Sequence, residues 1–317
     1  MSTVVEPPVT SRTASAPPPP RKGPGDKAEA WSRRLPLLPA LIFVIVLTQL
    51  PFIATLVVSF MNWNAYYPEE RGFAGFDNFA RVFTDSNTRN AVMVTILLTV
   101  LVVVISLVLG MLIALLLDRK FLGRGIVRTL MITPFLIVPV AAALLWKHAL
   151  YNPEYGLLNG TLKAVLGEDA PQPDWISNNP LISIVAALVW QWTPFMMLIL
   201  LAGLQSRPLD VVEAARIDGA SSWQIFRTMT LPHMRQYIEL SGLLGAIYVV
   251  QNFDHVFTIT SGGLGTANLP YFIYQTFYTA QDYGRASAAG VVVVIGTIII
   301  ATAALRTAFS LFKEEGR

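Results

Sequence analysis

Cysteine is absent from the 317-residue sequence, and histidine occurs only three times. The absence of cysteine excludes a disulfide framework, a thiol nucleophile and a cysteine-based metal site. His148, His233 and His255 lie far apart in the sequence, so no histidine pair has metal-ligand spacing and we expect no bound metal. Charge is also scarce, because only 14% of the residues are charged, against about 25% in a typical soluble domain.

Apolar residues make up 54% of the chain, and the mean hydropathy is +0.54. These residues form long runs, which indicates a membrane protein surrounded by lipid. The formal net charge of +3 gives no reason to expect a nucleic-acid partner.

The first 34 residues differ from the rest of the chain. They are rich in proline, serine, threonine and basic residues and contain almost nothing to bury. Such composition predicts a disordered tail, which we place in the cytoplasm. Residues 35–317 then form the transmembrane domain.

Six apolar segments are long enough to cross a bilayer core, which needs roughly 20 helical residues. The sequence therefore predicts an all-α, polytopic membrane protein. Proline interrupts the third segment and acidic residues lie in the fifth, so these two spans are less regular. The predicted spans are 35–60, 91–117, 129–146, 181–204, 237–257 and 288–305.

The distribution of lysine and arginine predicts the orientation. Of the 23 basic residues, 17 fall in the N-terminal tail, the C-terminus and the segments 118–128 and 205–235. Cytoplasmic loops carry the excess of basic residues, so both termini and segment 205–235 are expected in the cytoplasm. An even number of spans agrees with this arrangement.

The segment of about 206–233 is charged and helix-prone, between two apolar spans. Ser206 is a candidate N-cap, and Pro208 suits the first turn of a helix. Gly219 suits the left-handed residue that ends this helix, and Ser221 with Gln224 has the spacing of a capping box. With Pro232 ending the second helix, the pattern predicts two short helices joined at a tight glycine turn.

The residue pattern of this segment resembles the cytoplasmic coupling loop of ABC importer permeases. That family has EAA, three residues, Gly, nine residues and then Ile-x-Leu-Pro. The one departure is Met229, where the family has isoleucine. The matching residues are Glu213, Ala214, Ala215, Gly219, Leu231 and Pro232. We refer to 206–233 as the coupling loop.

The resemblance extends over residues of about 35 to 315. Three further segments are similar to segments of the maltose and glycerol-phosphate-like group of these permeases. They are GFAGFDNFARVF from Gly72, the stretch 133–162, and FDHVFTITSGGLGTAN from Phe253. That group usually has Gly-Gly-Pro where this chain has Leu264 after two glycines.

The resemblance implies a permease subunit rather than an enzyme. Its implied partners are a second homologous permease, two cytoplasmic ATPases and an extracytoplasmic solute-binding protein. ATP and magnesium would bind the ATPases, because this chain lacks the G-x-x-x-x-G-K-[ST] phosphate loop. The coupling loop would dock on an ATPase, with Gly219 forming the turn and the alanines permitting close approach. The implied location is the cytoplasmic (inner) membrane.

Polar residues inside spans tend to face a cavity or the protein interior. Aromatic faces stack on the C–H faces of sugars, while amides hydrogen-bond to hydroxyls, so the pattern suits an uncharged polyhydroxylated solute. The alternative is that these side chains pack between helices or against the partner permease. The candidate pathway residues are Trp190, Gln191, Trp192, Tyr248, Gln251 and Asn252.

Two other classes of protein compete with an ATP-driven sugar or polyol importer. An ion-coupled secondary carrier often has internal repeats and broken helices, but we find no convincing repeat and the coupling loop would have no role. The other class is an intramembrane enzyme, but this sequence contains no nucleophile–base motif that such an enzyme would need.

Overall fold

Helices account for nearly all the regular structure in the computed structural model, which describes residues 35–314. At positions 209, 300, 301 and 303–314 only the backbone is described. The predicted tail of residues 1–34 lies outside the described residues. Residues up to Ile53 and residues from Ala54 onward form separate units.

The helices are, in chain order, α1 (Leu38–Ser59), α2 (Asp77–Thr84), α3 (Ser86–Asp118), α4 (Arg124–Leu136), α5 (Pro139–Leu144), α6 (Leu157–Leu166), α7 (Trp175–Asn178), α8 (Pro180–Gln205), α9 (Leu209–Ile217), α10 (Ser222–Ile225), α11 (Leu231–Val250), α12 (Leu269–Tyr274) and α13 (Tyr283–Glu314). Short 3-10 turns lie at Leu35–Leu37 and Pro68–Glu70. Turns of π-helix lie at Leu145–Leu150, Phe226–Thr230, Val256–Thr260 and Gln275–Thr279.

A small hairpin follows α1. Strands β1 (Met61–Asn62) and β2 (Gly72–Phe73) pair antiparallel, with Met61 opposite Phe73. The buried amide of Asn78 in α2 donates to the backbone carbonyls of Ser59 and Met61 at 3.0 and 2.9 Å. The loop after the first span is thus ordered by its own hydrogen bonds.

The core is built on the packing of α3 against α8. Gly110 of α3 brings the two backbones close, because a Cβ atom there would lie 3.0 Å from the amide nitrogen of Met197. Small residues at helix interfaces permit this approach in membrane proteins. α11 packs on the same pair, and the buried side chains of α3 and α8 join those of α11 in two apolar clusters.

Helices cover most of each predicted span, and the all-α polytopic fold is confirmed. Among the described residues, Leu35–Ser59, Ser86–Asp118 and Pro180–Gln205 are each long and apolar enough to cross a membrane. The third predicted span is broken rather than straight. Arg124–Leu136 and Pro139–Leu150 meet at 97°, because Pro139 cannot supply the amide hydrogen that a continuous helix needs.

Three local predictions are wrong. Ser206 does not cap the first helix of the coupling loop: it is the C-cap of α8, and Pro208 is the N-cap of α9. Pro232 does not end the second helix, because proline is tolerated in a first helical turn and the chain passes through Phe226–Thr230 directly into α11. The fifth span ends at Val250, so Gln251 and Asn252 lie beyond the helix.

An ion pair holds the N-terminal end of α3. Asp85 caps α3 by accepting the amide hydrogen of Thr88 at 2.9 Å, and its carboxylate contacts Arg285 of α13 at 2.7 Å. Burial opposes ionisation of Asp85, but the hydrogen bonds from Thr88 and the Arg285 guanidinium together lower the pKa of the carboxyl. Asp85 therefore ties α3 to α13.

We predict opposite effects of alanine at two helical glycines. Gly110→Ala should destabilise the protein by about 1 kcal/mol or more, because the added methyl group pushes α3 away from α8. Gly290→Ala is the matched control: its Cβ would meet nothing within 4 Å, and alanine should stabilise α13 by about 0.5–1 kcal/mol. Thermal unfolding in detergent tests both, and equal effects would contradict close α3–α8 packing.

Asp85→Asn should remove a pH-dependent part of the stability. Since the folded pKa of Asp85 lies below its ordinary value of 3.8, its stabilisation is present above that value and is lost as the pH falls through the folded pKa. The melting temperature of the wild type should exceed that of Asp85→Asn at about pH 6, and the gap should close toward about pH 3. Asp77→Asn in α2 is the control. A gap that persists at low pH would contradict this assignment.

Candidate functional site

The glycine turn of the coupling loop has the predicted geometry. α9 ends at Ile217 with Asp218 as its C-cap. Gly219 follows with φ +85° and donates its N–H to the carbonyl of Arg216 at 3.1 Å. A Cβ atom at Gly219 would meet nothing within 4 Å. The left-handed backbone, not lack of space, therefore favours glycine here.

The predicted capping box begins the second helix of the loop. The Ser221 hydroxyl accepts the amide hydrogen of Gln224, and the Gln224 side chain accepts the amide hydrogen of Ser221 at 2.8 Å. Trp223 stacks on Phe226 with ring centroids 5.7 Å apart. These contacts fix α10 directly after the glycine turn.

The EAA residues do not share one environment. Glu213, Ala214 and Gly219 are exposed, whereas Ala215 is only 8% exposed and packs inside the chain. Leu231 and Pro232, at the start of α11, are exposed as well. Ile217 and Trp223 add large apolar side chains at 87% and 67% exposure. The loop thus presents exposed apolar side chains beside exposed charged ones, among them the Glu213 carboxylate.

The coupling loop is anchored where it leaves α8. The Ser206 hydroxyl lies 2.8 Å from the Tyr237 hydroxyl and 3.1 Å from the His233 ring nitrogen Nε2. Tyr237 itself packs where Gly203 has no side chain, since a Cβ there would lie 2.5 Å from the Tyr237 ring. These contacts join the end of α8 to the first turns of α11.

An aromatic cluster lies between α4, α8 and α11. Trp192 stacks on Tyr248, with ring centroids 5.3 Å apart and ring planes at 24°. Phe135 and Phe195 complete the cluster and lie 5.2 Å apart. Tyr248 is exposed, so the cluster reaches the surface of the chain. The sequence reasoning missed Phe135 and Phe195, although Phe195 follows Trp192 at the i, i+3 spacing of one helix face.

The neighbours of Trp192 point elsewhere, because consecutive helical residues differ by about 100°. Gln191 is 3% exposed and donates to the carbonyl of Ile137, at the break between α4 and α5, at 2.9 Å. Trp190 contacts Trp146 at 5.9 Å between ring centroids and lines an apolar cavity of about 650 Å³. The structure therefore does not bring Trp190, Gln191 and Trp192 into one surface.

The two amides after α11 also differ. Gln251 is exposed and donates to the carbonyl of Ile247 at 2.9 Å. Asn252 contacts the ring nitrogen Nδ1 of His255 at 3.2 Å. Its oxygen Oδ1 and the His255 nitrogen Nε2 are buried without a hydrogen-bond partner in the described part of the chain. His255 was not among the predicted pathway residues, and no sequence signal marks it.

Metal binding has no support in residues 35–314, where no group of three histidine or acidic side chains is placed to hold an ion. The two features at the candidate positions are the ordered coupling loop and the aromatic cluster.

Comparison with known families decides the class of protein. Residues 106–310 match the model of the family described as "binding-protein-dependent transport system inner membrane component". The chain belongs to this family. It is thus a non-enzymatic permease component of an ABC importer, and this membership supports the importer over the ion-coupled secondary carrier.

Several family members are similar over most of their length. A probable ABC transporter permease protein, y4oQ of Sinorhizobium fredii, is 34% identical over 83% of this chain and 85% of its own length. The trehalose/maltose transport system permease protein MalF of Thermococcus litoralis is 33% identical over 82% and 88%. A bacterial ABC transporter that imports alginate has the same fold, with a TM-score of 0.76 and 21% identity over 90% of this chain and 98% of that chain.

Proposed function

We propose that this permease carries a neutral sugar or polyol across the cytoplasmic membrane. It acts with a second homologous permease, two ATPases that bind ATP and magnesium, and an extracytoplasmic binding protein that delivers the solute. The observation that carries this proposal is the ordered coupling loop, with an exposed surface at Glu213, Ala214 and Gly219. The trehalose/maltose relative supports the solute class.

The coupling loop would dock in a groove of one ATPase. Its exposed tryptophan and isoleucine supply apolar contact area, and the Glu213 carboxylate suits a basic group of the partner. Ala214 and Gly219 permit close approach, whereas the buried Ala215 would position the helix from within. Leu231 and Pro232 would pass the movement of the loop into α11.

The cytoplasmic position of this loop follows from charge. Basic residues are in excess in four segments, which favours a cytoplasmic location for all of them. These segments are the tail, 118–128, 205–235 and the C-terminus. Both termini would therefore lie inside, with the hairpin and α6 outside.

The aromatic cluster supports a place for the solute. Tyr248, stacked on Trp192, offers a ring face to the C–H surface of a sugar. Gln251 follows at the end of the same helix, and the Asn252 side-chain oxygen Oδ1, which has no partner among the described residues, would accept from a solute hydroxyl group. Trp190 and Gln191 would contribute indirectly, through packing and through the break in the third span.

Affinity purification of this chain from its native membrane, with mass spectrometry of the proteins that accompany it, tests the assembly. We expect a second permease and an ATPase with a phosphate loop. Recovery of the chain alone, in a form active in uptake, would contradict the proposal.

Gly219→Val should weaken docking of the ATPase. A β-branched residue at φ +85° costs roughly 1–2 kcal/mol and distorts the turn between α9 and α10. Gly125→Val is the matched control, because Gly125 also has open space around its Cβ but no positive φ. We expect the amount of co-purified ATPase to fall about tenfold in the first variant only, and equal recovery would contradict the docking role.

Trp192→Leu should weaken solute transport while leaving assembly intact. Loss of the stacked ring removes about 0.5–1.5 kcal/mol of aromatic contact and frees Tyr248 from its orientation, so the KM for trehalose uptake should rise several-fold. Trp192→Phe keeps a ring and should stay near the wild type. If both variants transport normally, the cluster serves packing alone.

A further inference from the structure

Arg207 lies between the end of α8 and the start of α9, and its guanidinium binds three separate groups. Nε donates to the carbonyl of Leu204 at 2.8 Å, and Nη1 donates to the hydroxyl of Thr230 at 3.0 Å. Nη2 forms an ion pair with the carboxylate of Asp118. The three partners belong to α8, to the turn before α11, and to the last residue of α3.

These contacts are sheltered from solvent. The Arg207 side chain is 16% exposed, and Leu204 and Thr230 are buried. Exposed ion pairs contribute little to stability, but a partly buried arginine that donates to three groups fixes their relative positions. Lysine could not replace it, because its single ammonium group lacks the planar fork.

The position of Arg207 gives these bonds a mechanical consequence. Residue 207 lies just after the end of α8, and residue 230 lies just before the start of α11. The two residues therefore lie near the two ends of the coupling loop. Arg207 joins both ends to each other and to α3. The loop cannot pivot about its attachments without breaking these bonds or moving α3 as well.

We propose that Arg207 is a positioning residue of the transport cycle. Its three bonds make the coupling loop, α3, α8 and α11 move together when the ATPases displace the loop. The broken third span has no bond to this guanidinium in the described residues. Movement of the four elements relative to this span opens or closes the space beside the aromatic cluster, while the Asp85–Arg285 ion pair keeps α13 joined to α3. This inference rests on the proposed function.

The absence of cysteine allows a direct distance measurement. Spin labels at Leu116→Cys in α3 and Asp210→Cys in α9 occupy exposed positions outside the Arg207 contacts. The labelled transporter, assembled with its ATPases, is measured in ADP and in a non-hydrolysable ATP analogue. We expect the same mean distance in both states, because the two helices move as one unit.

Arg207→Ala should make this distance differ between the nucleotide states, and Asp118→Ala should produce a shift in the same direction. Asp118→Ala removes only the bond to α3, so it tests the proposal even if Arg207→Ala does not fold. The double variant should shift no further than Arg207→Ala, because both changes remove one shared interaction. A wild-type distance that changes with nucleotide, or variants that behave as wild type, would overturn the proposal.

The number of trehalose molecules transported per ATP gives a second readout. We expect this ratio to fall about tenfold in Arg207→Ala, because the variant loses hydrogen bonds from a charged group. Basal ATP hydrolysis should remain. Arg227→Ala is the control for loss of charge from the same loop, and Glu239→Gln is the control for loss of an exposed ion pair with Arg235. An unchanged ratio in Arg207→Ala contradicts the positioning role. Absence of trehalose uptake in the wild type instead contradicts trehalose as the solute, and the distance measurement then decides the positioning role.

Discussion

The close approach of α3 and α8 is the constraint on which the rest of the structure depends. Lipid gives apolar helices little reason to associate, so the contact relies on fit, and Gly110 permits it. α11 packs over the same pair, where Gly245 makes room for the methyl group of Met196. An ion pair fixes α3 at each end, through Asp85 to α13 and through Asp118 to the coupling loop. Transport can therefore be understood as movement around this packed group.

A second constraint is that backbone polar groups in a membrane need partners within the protein. The break between α4 and α5 leaves the carbonyl of Ile137 outside the helical pattern, and Gln191 supplies its hydrogen bond. This explains why an amide in the middle of a span faces inward rather than toward a solute. The Asn252 oxygen Oδ1 and the His255 nitrogen Nε2 are buried without a hydrogen-bond partner among the described residues.

Local signals in the sequence were sufficient for much of the fold. Six apolar runs correspond to helices, and the glycine turn and capping box of the coupling loop have their predicted form. Each depends on neighbouring residues alone, through hydropathy, backbone conformation or side-chain capping. The motif that identifies the family is also local, which is why the class of protein could be predicted.

Features set by tertiary contacts could not be predicted. Proline marked the third span as irregular but did not give its 97° bend. Trp190, Gln191 and Trp192 are consecutive in the sequence, but their side chains point in different directions. What each side chain meets depends on which helices surround α8. Arg207 looked like one basic residue among several, because Asp118 lies 89 positions earlier in the chain. The burial of Ala215 is likewise set by tertiary contacts and not by its neighbours in the sequence.

The central claim is that ATP, acting through the coupling loop, drives inward transport of a neutral sugar. Uptake of labelled trehalose by proteoliposomes that contain the complete purified transporter tests it most directly. The account predicts uptake that requires the binding protein outside and ATP with magnesium inside, and that does not respond to a proton gradient. Uptake driven by a proton gradient without ATP would contradict it.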